Sequence, residues 1–284
     1  MINTALNYTG SKFKLLPQIL PELDYSKKHF VDLFTGSFVV AANVLPHYET
    51  VLANDTISDL IGIHEFLCFQ PDDFIKEVKA LCANNPEEYA ALRESYNRDK
   101  TAAKLYALML CCTNNMMRFN QKFEFNQTYG KRTFNDSTAK KLEAFTEYVN
   151  PYRDKITFQK GSFEKVVANG WEKQMWYIDP PYGFTVDPFG GISKKQISEA
   201  GYNAFWNKQA EIKLFDTIRQ LNKFGHSFMV SGLLEHKGQT SWLMSKLIAD
   251  GFRHVVLDCN YDKVSRVEVS DSVEVIVMNY EEQI

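Results

Sequence analysis

The chain has 284 residues, of which 45% are hydrophobic and 24% are charged, and its net charge is −3. This composition excludes a disordered chain, and no apolar run approaches the roughly 18 residues of a membrane span. The negative net charge excludes a generally basic coat for nucleic acid, so any DNA contact has to come from a local patch. The length suits one large α/β domain with an insertion, or two small domains.

The beginning of the sequence and the cysteines favour a cytoplasmic protein without membrane contact. Residues 1–16 mix Asn, Thr, Gly, Ser and Lys and lack the continuous apolar core of a signal peptide. The cysteines have neither C-x-x-C nor histidine spacing, so free thiols are favoured over disulfides and no metal site is predicted. They are Cys68, Cys82, Cys111, Cys112 and Cys259.

The chain opens with a loop, residues 7–12, that leads into an amphipathic helix with apolar residues at 15, 16, 19 and 20. Gly10 lets the backbone approach a ligand closely, and Lys12 adds a charge that can meet a carboxylate. A simple turn with a solvated lysine explains the same pattern equally well.

Residues 29–37 read as a short apolar strand that breaks at a Thr-Gly-Ser turn, and an apolar helix over 38–45 follows. This is the first unit of a doubly wound fold. A second strand over 51–55 ends in Asp55, the position at which nucleoside-binding sheets accept hydrogen bonds from ribose. The dinucleotide fingerprint G-x-G-x-x-G is absent, because Phe38 stands where a second glycine would be. The pattern therefore favours S-adenosylmethionine over a nicotinamide cofactor.

Between Ser58 and Asn150 the apolar spacing becomes helical. Four helices are predicted, at residues 60–67, 74–82, 89–96 and 102–112. Alternating aromatic residues around a polar turn then predict a β-hairpin between Arg118 and Arg132.

Basic charge is concentrated from residue 118 to residue 141, where six Lys and Arg oppose two acids for a local charge of +4. Aromatic residues alternate with these charges, a combination that suits contacts with base edges and phosphates. They are Phe119, Phe123, Phe125, Tyr129 and Phe134. A solvated, charged hairpin is the alternative.

The sequence Trp-Tyr-Ile-Asp-Pro-Pro-Tyr at 176–182 carries the strongest chemical signal. Three apolar residues run into Asp179, as in a buried strand that ends at the ligand-binding edge of a parallel sheet. Pro180 and Pro181 stop helix and ladder alike and leave carbonyls for a ligand. An amine held between the Asp179 carboxylate and the Pro180 carbonyl meets two acceptors, and the Tyr182 ring can stack on a planar base. The motif predicts a site for an exocyclic amino group, with a plain proline turn as the alternative.

After Pro151 the sheet is predicted to resume. Strands are expected at 155–158, 226–231, 255–259 and 273–278, and helices at 206–224 and 242–249. The segment from 184 to 201 is polar, contains Gly190-Gly191 and has no clear period. We interpret it as a mobile loop over the site.

These stretches, in this order, resemble Dam-type DNA adenine-N6 methyltransferases of bacteria and phages, with the alpha order of motifs. The matching segments are 8–12, 30–36, 52–55, 115–118, 130–132, 179–182 and 202–206. Asp-Pro-Pro-Tyr alone is shared by many amino-methyltransferases, so the ordered set carries the specificity. Three positions depart from the family: Phe38 in the glycine turn, Thr113 in place of an aromatic wedge, and Thr128 in place of a proline.

The resemblance implies an α/β fold: a Rossmann-like, seven-stranded S-adenosylmethionine-dependent methyltransferase sheet with an inserted helical target-recognition domain that carries a β-hairpin. Residues 1–57 would form the first, cofactor-binding part of the catalytic domain. Residues 58–153 would form the target-recognition domain, with a DNA-reading hairpin at 118–132, and residues 154–284 the second catalytic part.

The resemblance also implies residue roles. The catalytic residues would be Asp179, Pro180, Pro181 and Tyr182. The cofactor-binding residues would be Tyr8, Lys12, Asp32, Phe34, Gly36, Asp55, Phe163 and Asp179. The DNA-binding residues would be Asn115, Met116, Arg118, Asn120, Tyr129, Lys131 and Arg132. The implied reaction transfers a methyl group from S-adenosyl-L-methionine to N6 of a flipped adenine in duplex DNA, with GATC as the expected target.

Several alternatives remain open. The chain could methylate adenine in another short target of a restriction-modification system, or cytosine N4, although those enzymes usually carry Ser in place of Asp179. An enzyme acting on RNA or on a protein glutamine would lack a duplex-reading hairpin, and a DNA-binding module would lack catalysis. Double-stranded DNA is the expected partner, a cognate restriction endonuclease is a candidate partner, and a monomer or weak dimer is expected.

Overall fold

A computed structural model describes residues 1–8, 10–166, 172–197, 206–258 and 272–281 of the chain. Two compact units alternate along the sequence. The first unit consists of Met1–Phe13 and Thr35–Phe163, and the second of Lys14–Phe34 and Glu164–Ile284.

The strands are β1 (His29–Asp32), β2 (Thr50–Asp55), β3 (Ile156–Lys160), β4 (Gln174–Ile178), β5 (Phe184–Val186), β6 (Ile192–Gln196), β7 (Ser227–His236), β8 (Gln239–Thr240), β9 (Arg253–Leu257) and β10 (Ser272–Met278). The α-helices are α1 (Leu16–Ile19), α2 (Val39–Val44), α3 (Ser58–Phe69), α4 (Pro71–Leu81), α5 (Pro86–Arg98), α6 (Ala102–Cys111), α7 (Asp136–Val149), α8 (Lys208–Lys223) and α9 (Trp242–Ala249).

The first unit pairs β2 and β3 in parallel, with Asp55 opposite Lys160 at the carboxyl ends. Helices α3 to α7 supply most of its core. Side chains at Asn85, Thr101 and Asn135 accept hydrogen bonds from the first-turn amides of α5, α6 and α7. These caps satisfy amides that have no partner within the helix, which explains where the three helices begin.

The second unit contains strands in the order β1-β4-β7-β10-β9. β1, β4 and β7 run parallel, whereas β10 is antiparallel to β7 and to β9. Every residue of β4 is buried, as a strand with both faces covered requires. The mixed α/β architecture with a mostly parallel sheet confirms the predicted fold class.

Some predicted elements differ from the structure in extent. The predicted helix after Lys12 consists of short helical turns as far as Glu22, because Pro17 and Pro21 lack the N–H that a continuous ladder needs. Helix α7 was not predicted, although Asn135 and the apolar positions Leu142 and Phe145 mark its cap and its buried face.

The predicted recognition hairpin is shorter than residues 118–132. Phe119 bridges Phe125, and the amide of Asn126 donates to the carbonyl of Arg118. Tyr129 instead bridges Cys112 at the end of α6. The hairpin therefore ends near Asn126, and the chain then returns to the helices.

The prediction of an irregular mobile loop over residues 184–201 is wrong for its described part. β5 and β6 pair in an antiparallel hairpin, because the Gly190-Gly191 pair closes a turn that the polar composition obscured. Residues 198–201 lie outside the described part of the chain, as do Thr9, Cys259 and positions 202–205 of a predicted motif. Among the described helices, none combines the length and the apolar character needed to cross a bilayer.

Candidate active site and DNA-recognition loop

Asp179 follows the buried strand β4 directly, as the sequence predicts. Its Oδ1 accepts a hydrogen bond of 3.0 Å from the Ser231 hydroxyl of β7. The Ser231 hydroxyl also lies 2.9 Å from the Tyr177 hydroxyl. Ser231 and Tyr177 are both buried, so this polar chain fixes one carboxylate oxygen of Asp179 from within the sheet.

Pro180, Pro181 and Tyr182 are half-buried, like Asp179 itself. They are therefore held by the fold and still accessible to a ligand. Neither proline has a backbone N–H, so neither can donate a hydrogen bond to a carbonyl of this turn. The use of the Asp179 carboxylate and the Pro180 carbonyl as acceptors for an amine stays a prediction.

Glu211 of α8 supports the chain immediately after this motif. Its Oε2 accepts hydrogen bonds from the amide of Phe184 at 2.8 Å and from the indole Nε1 of Trp206 at 3.4 Å. A Cβ at Gly183 would collide with the Glu211 carboxylate, so glycine is needed for this close approach. Burial raises the pKa of Glu211 to about 7, and these hydrogen bonds oppose the increase.

Asp32 and Phe34 belong to the same unit as Asp179. Asp32 is buried at the end of β1, opposite Tyr177 of β4. The half-buried Phe34 ring packs edge-on against Trp206, with 5.6 Å between ring centroids. Both residues therefore lie near the carboxyl ends of adjacent parallel strands, where such sheets bind ligands.

In the first unit, Asp55 and Gly36 are hydrogen-bonded to each other. The Gly36 amide donates to Asp55 Oδ2 at 3.0 Å, and the Ile57 amide donates to Oδ1 at 2.9 Å. Gly36 has a φ of +47°, and a Cβ there would lie 3.3 Å from the Tyr8 ring. The predicted residues Tyr8, Gly36 and Asp55 thus form one cluster. Burial raises the pKa of Asp55, although the backbone amides oppose the increase.

His64 holds the Gly36 turn from its other side. Its Nε2 lies 2.8 Å from the Gly36 carbonyl, which can only accept, so Nε2 carries the proton. Burial lowers the pKa of His64 to about 4, so its ring is neutral at physiological pH. Phe38, which replaces a small residue, adopts a φ of +63° and packs its buried ring against His64. The departure at Phe38 is therefore accommodated within the core.

Lys12 and Phe163 are buried in the same unit. The loop before Tyr8 is anchored by Tyr106, whose hydroxyl donates to the Ala5 carbonyl at 2.9 Å. Lys141 donates to the Leu6 carbonyl and, at 2.7 Å, to the side chain of Asn7. Lys141 therefore holds the opening loop, whereas its sequence context predicted a phosphate contact.

The segment between α6 and α7, residues 112–135, contains the predicted recognition hairpin and is called the recognition loop here. Within it, the side chain of Asn115 fixes that of Arg132. The Asn115 amide nitrogen donates to the carbonyls of Met109 and Leu110, and its oxygen accepts from the Arg132 guanidinium at 2.7 Å. Asn115 is buried, whereas Arg132 is exposed. The buried amide therefore orients an exposed guanidinium, and the predicted DNA contact of Asn115 stays a prediction.

Arg118 and Lys131 are exposed, and Met116 is half-buried. Asn120 organises the turn, since its side-chain oxygen accepts from the amides of Lys122 and Glu124. The half-buried Tyr129 ring packs against Tyr89 of α5, with 5.5 Å between centroids.

The aromatic residues of the loop do not share one role. Phe119 and Phe125 are buried and pack edge-on, and Asn97 of α5 binds both backbone groups of Phe125. These two rings anchor the loop, and the DNA contact that the aromatic and basic pattern favours stays a prediction. Two of the three departures from the family pattern meet here: the Thr113 and Thr128 hydroxyls lie 3.0 Å apart.

Comparison with known families decides what this arrangement belongs to. Residues 8–269 match the family described as MethyltransfD12, D12 class N6 adenine-specific DNA methyltransferase. The chain belongs to this family. The family resemblance expected from the sequence is thereby confirmed at the level of the D12 class, and the finer Dam-type assignment stays a prediction.

This D12-class chain is 29% identical to modification methylase StsI of Streptococcus sanguinis over 99% of its own length, and 30% identical to type II methyltransferase M.FokI of Planomicrobium okeanokoites over 98%. It spans only 43% of each of these relatives. It is 25% identical to type II methyltransferase M1.LlaDCHI of Lactococcus lactis subsp. cremoris, covering 96% of the chain and 94% of that relative.

D12-class methyltransferases use S-adenosylmethionine as methyl donor. The first unit fits such a group. Asp55 accepts backbone amides, including those of Gly36 and Ile57, and a carboxylate has about four acceptor positions, so its capacity also extends to a ribose hydroxyl. The Tyr8 ring lies against Gly36, where the lack of a side chain leaves room for the ring. S-adenosylmethionine has no phosphates, so it does not need the glycine run that binds a pyrophosphate.

Sequence reasoning missed the residues that support the site: Ser231, Glu211, His64, Asn97 and Lys141. Their signals were weak, because a serine in an apolar strand or a glutamate in the first turn of a helix has many ordinary explanations. Only a partner far along the sequence identifies their roles.

Proposed function

We propose that the chain transfers the methyl group of S-adenosylmethionine to N6 of adenine in duplex DNA. The observation that carries the proposal is the Asp179 carboxylate, which the Ser231 hydroxyl fixes at the end of a buried strand and which two prolines follow. Family membership and the basic recognition loop support DNA as the substrate.

S-adenosylmethionine supplies an electrophilic methyl group on a positive sulfonium. Asp179 and the Pro180 carbonyl accept hydrogen bonds from the adenine amine, which favours the pyramidal form of nitrogen and directs its lone pair to the methyl carbon. The N–C bond would form as the S–C bond breaks, S-adenosylhomocysteine would be the leaving group, and the proton lost by the methylated amine would pass to water. No covalent enzyme intermediate is required. Cys68, Cys82, Cys111 and Cys112 are buried and have no role in this step.

The reacting amine is paired inside the duplex, so the adenine has to leave the base stack. We propose that the base flips and that the Tyr182 ring replaces part of the lost stacking. Unpairing costs a few kcal/mol. Tyr8, Lys12, Gly36, Asp55 and Phe163 of the first unit are proposed to hold the cofactor, and the cofactor roles of Asp32, Phe34 and Asp179 in the second unit stay predictions.

Sequencing of modified bases in DNA from cells that express the wild-type chain tests the proposal. N6-methyladenine supports it, whereas N4-methylcytosine or unmodified DNA contradicts it. The map also tests the expected GATC target against another short sequence of a restriction-modification system. The names of the relatives favour the restriction-modification setting. A cognate endonuclease, the division at residues 57 and 153, the oligomeric state and the cytoplasmic location stay predictions.

Asp55→Ala is expected to weaken S-adenosylmethionine binding by about 100-fold and to leave DNA binding within a few-fold of wild type. Ribose hydroxyls lose a charged acceptor, and such hydrogen bonds contribute about 1.5–3 kcal/mol each. The Gly36 turn also loses the acceptor of its amide. Equilibrium titration with each ligand measures both effects.

Asp73→Ala is the matched control, because Asp73 is an exposed acid at the start of α4 in the same unit. It should leave both affinities unchanged. Equal losses for both ligands in Asp55→Ala, or a loss for DNA alone, would assign β2 to something other than the cofactor.

Arg118→Ala and Arg132→Ala are expected to separate two modes of arginine contact. An arginine fork matches two acceptors on a guanine edge, and one good pair contributes roughly 1–3 kcal/mol of discrimination. Asn115 already orients Arg132, so removal of the Arg132 side chain should relax the sequence preference at one base pair. Methylation of a library of near-target sites reads out the preference at each position.

Lys131→Ala provides the comparison for these arginine variants. An exposed ammonium suits phosphates, so its loss should weaken all sequences alike and flatten the salt dependence. A uniform loss in both arginine variants would assign the arginines to the DNA backbone as well.

A further inference from the structure

The hairpin formed by β5 and β6 presents a large aromatic ring to solvent. Phe189, at its tip, is 98% exposed, more than any other large hydrophobic residue in the described chain. The hairpin begins at Phe184, two residues after Tyr182 of the proposed catalytic motif. An exposed phenylalanine by itself is ordinary, but this one stands on a hydrogen-bonded turn of a hairpin that also carries exposed lysines.

The turn that carries Phe189 is rigid. Asp187 Oδ1 accepts hydrogen bonds from the amides of Phe189 at 2.9 Å and Gly191 at 2.8 Å. The Asp187 backbone also pairs with Gly190 and Gly191. The backbone that carries the ring is therefore fixed by hydrogen bonds, which lowers the backbone entropy that a contact through the ring would cost.

The base of the hairpin is fixed as well. Glu211 accepts the Phe184 amide, and the Ile197 amide donates to the Gly183 carbonyl. Thr185 forms a bridge with Ser241 before α9. These contacts attach the hairpin to the unit that carries Asp179, so the hairpin and the proposed catalytic residue belong to the same compact unit.

The charges of the hairpin favour an anionic partner. Lys194 and Lys195 are exposed on β6. Asp187 is the only acid between residues 184 and 196, and its carboxylate is bound to amides of the turn. A single ring with two ammonium groups lacks the contiguous apolar area that a protein interface needs. It matches nucleic acid, which offers stacking faces and phosphates together.

We propose that the β5–β6 hairpin is a second DNA-contacting element, separate from the recognition loop. The Phe189 ring stacks on a base face that opens when the adenine leaves the stack, and Lys194 and Lys195 contact phosphates. The proposal rests on the proposed function, because it takes duplex DNA as the substrate.

Equilibrium binding to a short fluorescein-labelled duplex, measured by anisotropy, tests the stacking contact. F189A is expected to bind roughly 5- to 160-fold more weakly, since a base–aromatic stack contributes about 1–3 kcal/mol. F189W should bind like wild type, and DNA should quench its emission more than that of wild type, whose four tryptophans supply the background. F224A is the matched control, because Phe224 is an exposed phenylalanine at the end of α8 in the same unit. It should bind like wild type.

Any of three results would overturn the proposal. F189A could bind with wild-type affinity, F189A and F224A could lose affinity equally, or DNA could quench F189W no more than it quenches wild type. In the double variant K194Q/K195Q, the slope of log affinity against log salt should fall by about two phosphate contacts. K223Q, at another exposed lysine, should leave this slope unchanged. An unchanged salt slope in the double variant would overturn the phosphate contacts.

Methyl transfer by the wild-type chain is measured in the same preparation, which separates the two proposals. A wild type that transfers no methyl group but binds DNA through Phe189 would overturn the proposed function and support the role of the hairpin. A wild type that methylates DNA with an affinity that F189A leaves unchanged would overturn the role of the hairpin alone.

Discussion

Asp179→Ala is expected to reduce methyl transfer by roughly 100- to 1000-fold, the usual range for removing a group that stabilises charge in the transition state. The variant loses the acceptor that orients the adenine amine. It should stay folded, because β4 is buried along its whole length and the two prolines set the turn without help from the carboxylate. Single-turnover transfer of labelled methyl groups measures the effect, and urea unfolding measures stability.

Three further variants define the role of this carboxylate. Asp179→Asn should also transfer poorly, because an amide offers one acceptor oxygen and a competing NH₂ group. Ser231→Ala should lose less, since Ser231 acts only by fixing Asp179 Oδ1. Asp216→Ala, at an exposed acid of α8, should behave like wild type. Near-normal transfer by a folded Asp179→Ala protein would contradict the assignment.

Local rules account for the parts of the fold and site that could be predicted. The continuous apolar run before Asp179 predicts the buried strand β4, and the proline pair predicts where it stops. The acid at the end of β2 and the lone glycine of the turn predict the cluster of Asp55 and Gly36 that the structure shows. In each case the signal lies within a few neighbouring residues.

The residues that support the site could not be predicted, because their partners are distant in sequence. Ser231 lies 52 residues after Asp179, and Glu211 lies 27 residues after Phe184. Lys141 lies 134 residues after Asn7. A lysine or glutamate on an amphipathic helix has the same pattern whether it faces water or a buried backbone group.

The recognition loop shows the same limit for apolar residues. Alternation of aromatic and basic residues predicts a loop that contacts DNA, but it does not distinguish anchoring rings from exposed ones. Phe125 is buried against Tyr96 and Phe119, whereas Phe123 is 42% exposed. Burial against α5 decides between the two roles, and the position of α5 depends on the tertiary fold.

Glu211 is expected to make the protein less stable as the pH rises. Burial raises the pKa of its carboxyl from 4.5 to about 7. The folded chain therefore binds a proton that the unfolded chain releases. The stabilisation is complete below about pH 4.5 and is lost as the pH rises through about 7, with a total of about 3 kcal/mol. Urea unfolding at a series of pH values from 5 to 8 measures the slope.

Glu211→Gln should remove most of this slope, because the amide keeps an acceptor for the Phe184 amide and carries no charge that folding must bury. The variant should be more stable than wild type at pH 8 and closer to it at pH 5. Glu235→Gln is the matched control, since Glu235 is an exposed glutamate of β7 in the same unit, and it should keep the wild-type slope. If Glu211→Gln retains that slope as well, Glu211 is already ionised in the folded protein, and the hydrogen bonds from Phe184 and Trp206 outweigh the cost of burying its charge.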